Sequence, residues 1–165
     1  MHNLIKYILT GIAVLFANIA MAQLDLGNEE VIYSFKTAKG KSVVICLNLD
    51  GDYLIYRFGT DEKVELEFPN EMNESSFKKF KYYYLFRGGG ASNDGMDMNY
   101  LVFKNGNYKY IIYDEISENE KQCGIKVIDE KTGKTTDIKG VFNTRKGSLI
   151  DFRKNELLEV FEEMP

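Results

Sequence analysis

Lys63-Val64-Glu65-Leu66-Glu67-Phe68 alternates residue by residue. In an extended chain Val64, Leu66 and Phe68 fall on one face, and Lys63, Glu65 and Glu67 on the other. That spacing fits a strand with one wet face rather than a helix. The same period of two spreads outward in both directions. Val31, Tyr33 and Phe35 alternate with Ile32, Ser34 and Lys36, and Leu54, Tyr56 and Phe58 with Ile55 and Arg57. Phe80, Tyr82, Tyr84 and Phe86 share a face against Lys81, Tyr83 and Leu85. Tyr108, Tyr110 and Ile112 do so against Lys109, Ile111 and Tyr113. Aromatic and β-branched residues dominate these runs, as strands prefer. Asp50-Gly51 and Asn105-Gly106 punctuate them as hairpin turns, and both dipeptides suit type I′ geometry. Lys39-Gly40 and Thr132-Gly133 read as two more turns.

The expectation is an all-β fold: an antiparallel meander of eight or nine strands, closed as a small barrel or folded as a sandwich. Val64, Leu66, Phe68, Phe80, Tyr82, Tyr84, Phe86, Tyr110 and Ile112 are expected to face inward. In the tail, Leu157, Leu158 and Phe161 lie at helical spacing behind Asn155 as a cap, which predicts a short C-terminal helix. A final strand is the competing reading. The only prolines are Pro69 and Pro165, so there is no proline-rich linker, and residues 23–165 read as a single β domain.

Residues 1–22 read as an export signal. Lys6 makes the amino-terminal part basic, an apolar run follows from Ile8, and Ala20-Met21-Ala22 has the small-x-small form that signal peptidase cuts. The expected location is periplasmic or secreted, with no membrane span after cleavage. The remaining chain, from Gln23, holds 20 basic against 25 acidic side chains, a net charge of −5. It has no His and no Trp, because His2 leaves with the leader. This excludes Ser-His-Asp and Cys-His catalysis and His-ligated metal sites. The acidic balance argues against a nucleic-acid partner. Cys46 and Cys123 are the whole cysteine inventory, and an oxidising compartment predicts a bridge between them. Closing a loop of roughly 80 residues would contribute on the order of 4 kcal/mol.

Thr132-Gly133-Lys134-Thr135 lacks the upstream glycine of a phosphate loop, since Ile128 occupies that position, and it reads as a β-turn. Neighbouring carboxylates such as Asp114 and Glu115 arise by chance among so many acids and point to opposite faces. The chain is read as a non-enzyme without a cofactor. Residues 87–98, Arg-Gly-Gly-Gly-Ala-Ser-Asn-Asp-Gly-Met-Asp-Met, stand apart. They join two strong strands where two residues would suffice, and such long connections are often functional. Arg87, Asn93, Asp94, Asp97 and Asn99 are the candidate binding residues. Four of them offer oxygen ligands of the kind calcium takes. No EF-hand spacing fits them, so polar turn chemistry is the default and no metal is assigned. Asn48, Asp50 and Asp52 are read the same way. Tyr82, Tyr84, Tyr108 and Tyr110 either fill the core or line a ligand cavity.

With its leader, size, alternating strands and one cysteine pair, the chain resembles the small periplasmic lysozyme inhibitors of bacteria. The likeness is of architecture. Those inhibitors carry a Ser-Gly-containing loop that enters the lysozyme cleft, and Gly90-Ala91-Ser92-Asn93-Asp94-Gly95 holds the long-loop position without matching it. Tyr56-Arg57-Phe58-Gly59 is similar to a strand end of uncharacterised secreted bacterial proteins, with no activity attached. The resemblance implies a non-catalytic binding protein that inhibits or neutralises a partner enzyme or toxin, such as a basic cell-wall hydrolase. The alternative is a small-ligand carrier with a tyrosine-lined interior.

Overall fold

A computed structural model describes residues 24–90 and 94–165. The export-signal reading and Asn93 lie outside the described residues. The fold is all-β, in two sheets. β1 (Glu29–Lys36), β2 (Ser42–Asn48), β3 (Leu54–Thr60) and β4 (Lys63–Phe68) form the first sheet, joined at its β1 edge by the two-residue β10 (Lys146–Gly147). The second contains β5 (Phe80–Arg87), β6 (Met96–Asn105), β7 (Tyr108–Ser117), β8 (Lys121–Asp129) and β9 (Thr135–Lys139), with β11 (Glu159–Phe161) beside β5. All pairings are antiparallel except β11 on β5. The expected meander is thus divided in two, β1 to β4 in the first sheet and β5 to β9 in the second, and the C-terminal segment adds a short strand to each sheet. The strand order does not close into a barrel among the described residues.

The sheets share one core. Tyr33, Phe35, Val43, Ile45, Leu54 and Tyr56 come from the first sheet, and Phe80, Tyr82, Leu101, Phe103, Ile112 and Ile125 from the second. Phe68, Phe103 and Tyr110 stack in series across it, with ring centroids 4.4 Å and 4.7 Å apart. An isolated antiparallel bridge between Thr37 and Gly140 ties the end of β1 to the end of β9.

Two bulges change the faces predicted from strict alternation. In β4, Leu66 pairs with Phe58 but Val64 pairs with Gly59, so Glu65 is the extra residue. Val64 therefore leaves the face of Leu66 and Phe68 and packs with Val44, Cys46 and Ile55 on the far side of the sheet. In β1, Ile32 is the extra residue, and Val31 is displaced from Tyr33 and Phe35 in the same way. The β4 bulge depends on glycine in the partner strand: a Cβ on Gly59 would lie 2.1 Å from the Lys63 carbonyl oxygen.

Other expectations are corrected locally. Asn105 pairs directly with Tyr108, so the turn is Gly106-Asn107, with positive φ at Gly106 only. That is the II′ pattern rather than I′. Phe86 is 55 % exposed and not inward. The tail forms a 3₁₀ turn, Leu149–Lys154, and then β11 in place of the predicted helix. Phe161 stacks on Tyr83 at 4.8 Å and Lys81 pairs with Glu159, so the tail pairs with the edge of β5 instead of coiling.

The predicted disulfide is absent. Cys46 and Cys123 are free and buried. Cys46 alternates with Ile45, which puts it on the far face of the first sheet, whereas Cys123 lies in the core between the sheets. Residues on opposite faces of a sheet cannot bring their sulfurs together. Burial pushes the Cys46 thiol up to about 12 and the Cys123 thiol up to about 11, so both stay protonated and unreactive near neutrality.

Candidate binding surface

The β5–β6 ladder runs to Arg87 opposite Met96. The connection is therefore residues 88–95, shorter than the predicted 87–98, and Asp97 and Asn99 belong to β6. The arms of this loop pass backbone against backbone: a Cβ on Gly95 would lie 3.1 Å from the Gly89 nitrogen. Arg87 fastens the base of the loop, its Nε donating to the Asp94 carbonyl at 3.1 Å. The Asp94 side chain is exposed, and among the described residues it accepts only a long 3.4 Å contact from Asn119. An open cleft of about 350 Å³ lies between the loop and the end of the β7–β8 hairpin. Phe86, Arg87, Gly89, Met96, Ile116 and Glu118 are among its walls.

The other candidate residues do a different job. Asp97, Asn99, Leu101 and Phe103 share one face of β6, so the carboxylate and the amide point toward the core side. Arg153, from the 3₁₀ turn of the tail, meets them there. Its guanidinium pairs with the Asp97 carboxylate and donates to Asn99 Oδ1 at 2.8 Å. Asn99 Nδ2 donates to Asp97 at 2.7 Å, and the Tyr82 hydroxyl donates to Asn99 Oδ1. Asn99 is buried. The guanidinium also lies over Tyr84 at 4.7 Å and Phe86 at 5.6 Å. Anchored from below, Arg153 backs the exposed Phe86 ring. The structure thus brings Arg87 and Asp94 together at the loop, and Asp97 and Asn99 together beneath it.

A second arginine repeats the arrangement one strand over. Asp114 is fully buried and sits opposite Asn99 on β7. Arg145 donates to it at 2.7 Å and stacks between Tyr33 and Phe142. Burial is the largest influence on Asp114 and raises its carboxyl above 3.8 despite Arg145. Asp114 Oδ1 and the Tyr33 hydroxyl have no partner among the described residues. Glu115 points the other way and accepts from Gln122, as expected for opposite faces. A third charged cluster lies on the far face of the first sheet. There Arg57 is buried and is held by Glu29 through both terminal nitrogens and by Glu67 through Nε.

Arg145 and Arg153 escaped the sequence reading because they precede the helix read behind Asn155, in a stretch with no alternation to give them a face. A signal was present: Asp97, Asn99 and Asp114 occupy the inward positions of apolar strands, where an unpaired charge is costly and a cation has to meet it. Of the four tyrosines, Tyr82 fills the core, Tyr84 lies under Arg153, Tyr108 is exposed, and Tyr110 alone lines a cavity. Thr132-Gly133 lies in the β8–β9 hairpin, where the Asp129 carboxylate accepts from the backbone of Lys131 and Thr132. Asn48 likewise closes the β2–β3 turn by accepting from the Asp52 backbone. Among the described residues no group of three or more Cys, Asp or Glu is placed to hold a metal, and no helix is long and apolar enough to cross a membrane. No family model, curated protein or solved structure matches this chain.

Proposed function

We propose that this is an exported, non-catalytic binding protein that blocks a partner enzyme or toxin outside the cytoplasm, with the β5–β6 loop end as its contact surface. The observation that carries this reading is Phe86. It is a large aromatic ring, 55 % exposed, at the mouth of an open cleft and backed by a guanidinium that is itself anchored. Exposed aromatics held in place this way serve as binding anchors, because little ordering entropy remains to be lost. Arg87 and Asp94 beside it supply one charge of each sign for a polar rim. The acidic balance would speed encounter with a basic hydrolase. The test is capture of partners from periplasmic or secreted fractions by the intact protein and by Phe86→Ala, with mass spectrometry of what is retained. A partner retained by the first and lost by the second supports the reading. A partner retained equally by both contradicts it.

A further inference from the structure

We infer that the free end of the β5 edge docks a second copy of this chain, strand against strand, about a twofold axis at Phe86. β11 lies beside β5 only opposite Lys81, Tyr82 and Tyr83. After Phe161 the tail turns off that edge onto the outer face of the sheet, where the Met164 sulfur accepts from the Tyr100 hydroxyl at 3.2 Å. Residues 84–87 therefore have no strand beside them on that side among the described residues. Alternate residues there turn a backbone N–H and C=O outward, and another extended backbone matches that row. β11 itself shows that this edge accepts a short strand.

The other described edges are blunted. β4 carries Lys63, Glu65 and Glu67 and a bulge, β9 carries Asp137 and Lys139, and β1 carries Glu30 and a bulge. β10 and β11 are only two and three residues long. Charges, bulges and short strands keep other chains off a sheet edge. Tyr84-Leu85-Phe86 has none of these devices, and Phe86 is 55 % exposed.

Register and charge select a second copy as the occupant. A twofold axis through the sheet makes the two edges antiparallel and centres them on one residue. Centring on Leu85 would drive Arg87 against β11 at Tyr83. Centring on Phe86 clears β11 in both copies: Phe86 meets Phe86, Leu85 meets Arg87, and Tyr84 meets Gly88. Aromatic pairs of this kind stabilise antiparallel ladders. Arg87 of each copy then lies two residues, roughly 7 Å, from the place of Phe161 on the other, where Glu162 and Glu163 follow. Arg87, Glu162 and Glu163 are exposed and have no ion-pair partner among the described residues. Symmetry thus sets a free cation near two free carboxylates twice over. So short a contact gives a weak dimer that forms with rising concentration. It covers Phe86, so self-pairing and capture of a foreign partner exclude each other there, though self-pairing needs no such partner.

The experiment is sedimentation velocity of the intact folded protein up to about 1 mM, with amide NMR shifts followed over the same range. The expected result is a monomer–dimer equilibrium, with concentration-dependent shifts centred on residues 84–88. Arg87→Glu alone, and Glu162→Arg/Glu163→Arg alone, set like charges together and are each expected to dimerise about tenfold more weakly or less still. Mixed one to one, these two variants restore both charge contacts, and the mixture is expected to dimerise more tightly than either alone. A wild type that stays monomeric, shifts centred on another edge, or a mixture no tighter than its components would overturn the inference. Should Arg87→Glu fail to fold, the shift map and Glu162→Arg/Glu163→Arg decide alone. A monomeric wild type that still captures a partner through Phe86 would overturn self-pairing and leave the proposed function standing.

Discussion

Glu29 and Asp114 are both buried carboxylates that face an arginine, and they respond to acid with opposite signs. Burial works to raise Glu29, but hydrogen bonds from Arg57, the Leu26 amide and Tyr53 outweigh it and hold the carboxyl below its ordinary 4.5. Its contribution to stability is present above that ordinary value and is lost as pH falls through its own lower one. Asp114 is held above 3.8, so the folded protein takes up that proton before the unfolded chain does. Folding is then favoured as pH falls from the raised value toward 3.8. Asp114→Asn removes this proton uptake. In urea unfolding between about pH 7 and about pH 4, the stability of wild type relative to Asp114→Asn is expected to rise as pH falls. A difference that shrinks instead would show that Asp114 is not raised. Glu29→Ala leaves buried Arg57 with Glu67 as its carboxylate partner and the Leu24 carbonyl at 3.3 Å, and is expected to cost about 3 kcal/mol in the same assay. A cost below about 1 kcal/mol, the range of surface pairs, would contradict the buried-pair description.

At the scale of elements, the strands were legible in the sequence because alternation and turn residues are local signals. What alternation does not carry is the face after a bulge. Val31 and Val64 sit in clean alternating runs, yet one extra residue in each run transfers them to the other side of the sheet. The one local hint at the β4 bulge is Gly59 on the partner strand. Gly59→Ala is expected to lower stability by about 2 kcal/mol, because the added methyl meets the Lys63 carbonyl. An unchanged denaturation midpoint would show that the bulge relaxes freely. The tail misled for a related reason. Leu157, Leu158 and Phe161 fit a helix by spacing alone, but pairing with the exposed edge of β5 is a non-local gain that spacing does not reveal. The five candidate site residues were chosen as one loop. Strand pairing divides the described ones into a surface pair, Arg87 and Asp94, and a supporting pair, Asp97 and Asn99. The cysteines were paired by count and compartment, and the face of each strand separates them. Thiol labelling in denaturant without reductant is expected to find two free thiols, both slow to react in the native protein. A chain that yields none would restore the bridge.

For the molecule as a whole, the C-terminal segment ties the proposed binding surface to the core. Arg145 and Arg153 reach from it to the inward carboxylates of the second sheet, while β10 and β11 add to one sheet each. The tail thus positions Phe86 from behind without forming part of the exposed loop. The two roles are separable by mutation. Phe86→Ala and Asp94→Ala remove exposed groups, whereas Asp97→Ala takes away the anchor of Arg153. The most direct measurement is the melting temperature together with the affinity for the captured partner, on single preparations of each variant. The account predicts that the Phe86→Ala/Asp94→Ala pair keeps its melting temperature and loses at least tenfold in affinity, about 1.4 kcal/mol. Asp97→Ala is predicted to melt several degrees lower. A Phe86→Ala/Asp94→Ala protein that loses stability while its folded fraction binds as tightly as wild type would contradict the central claim.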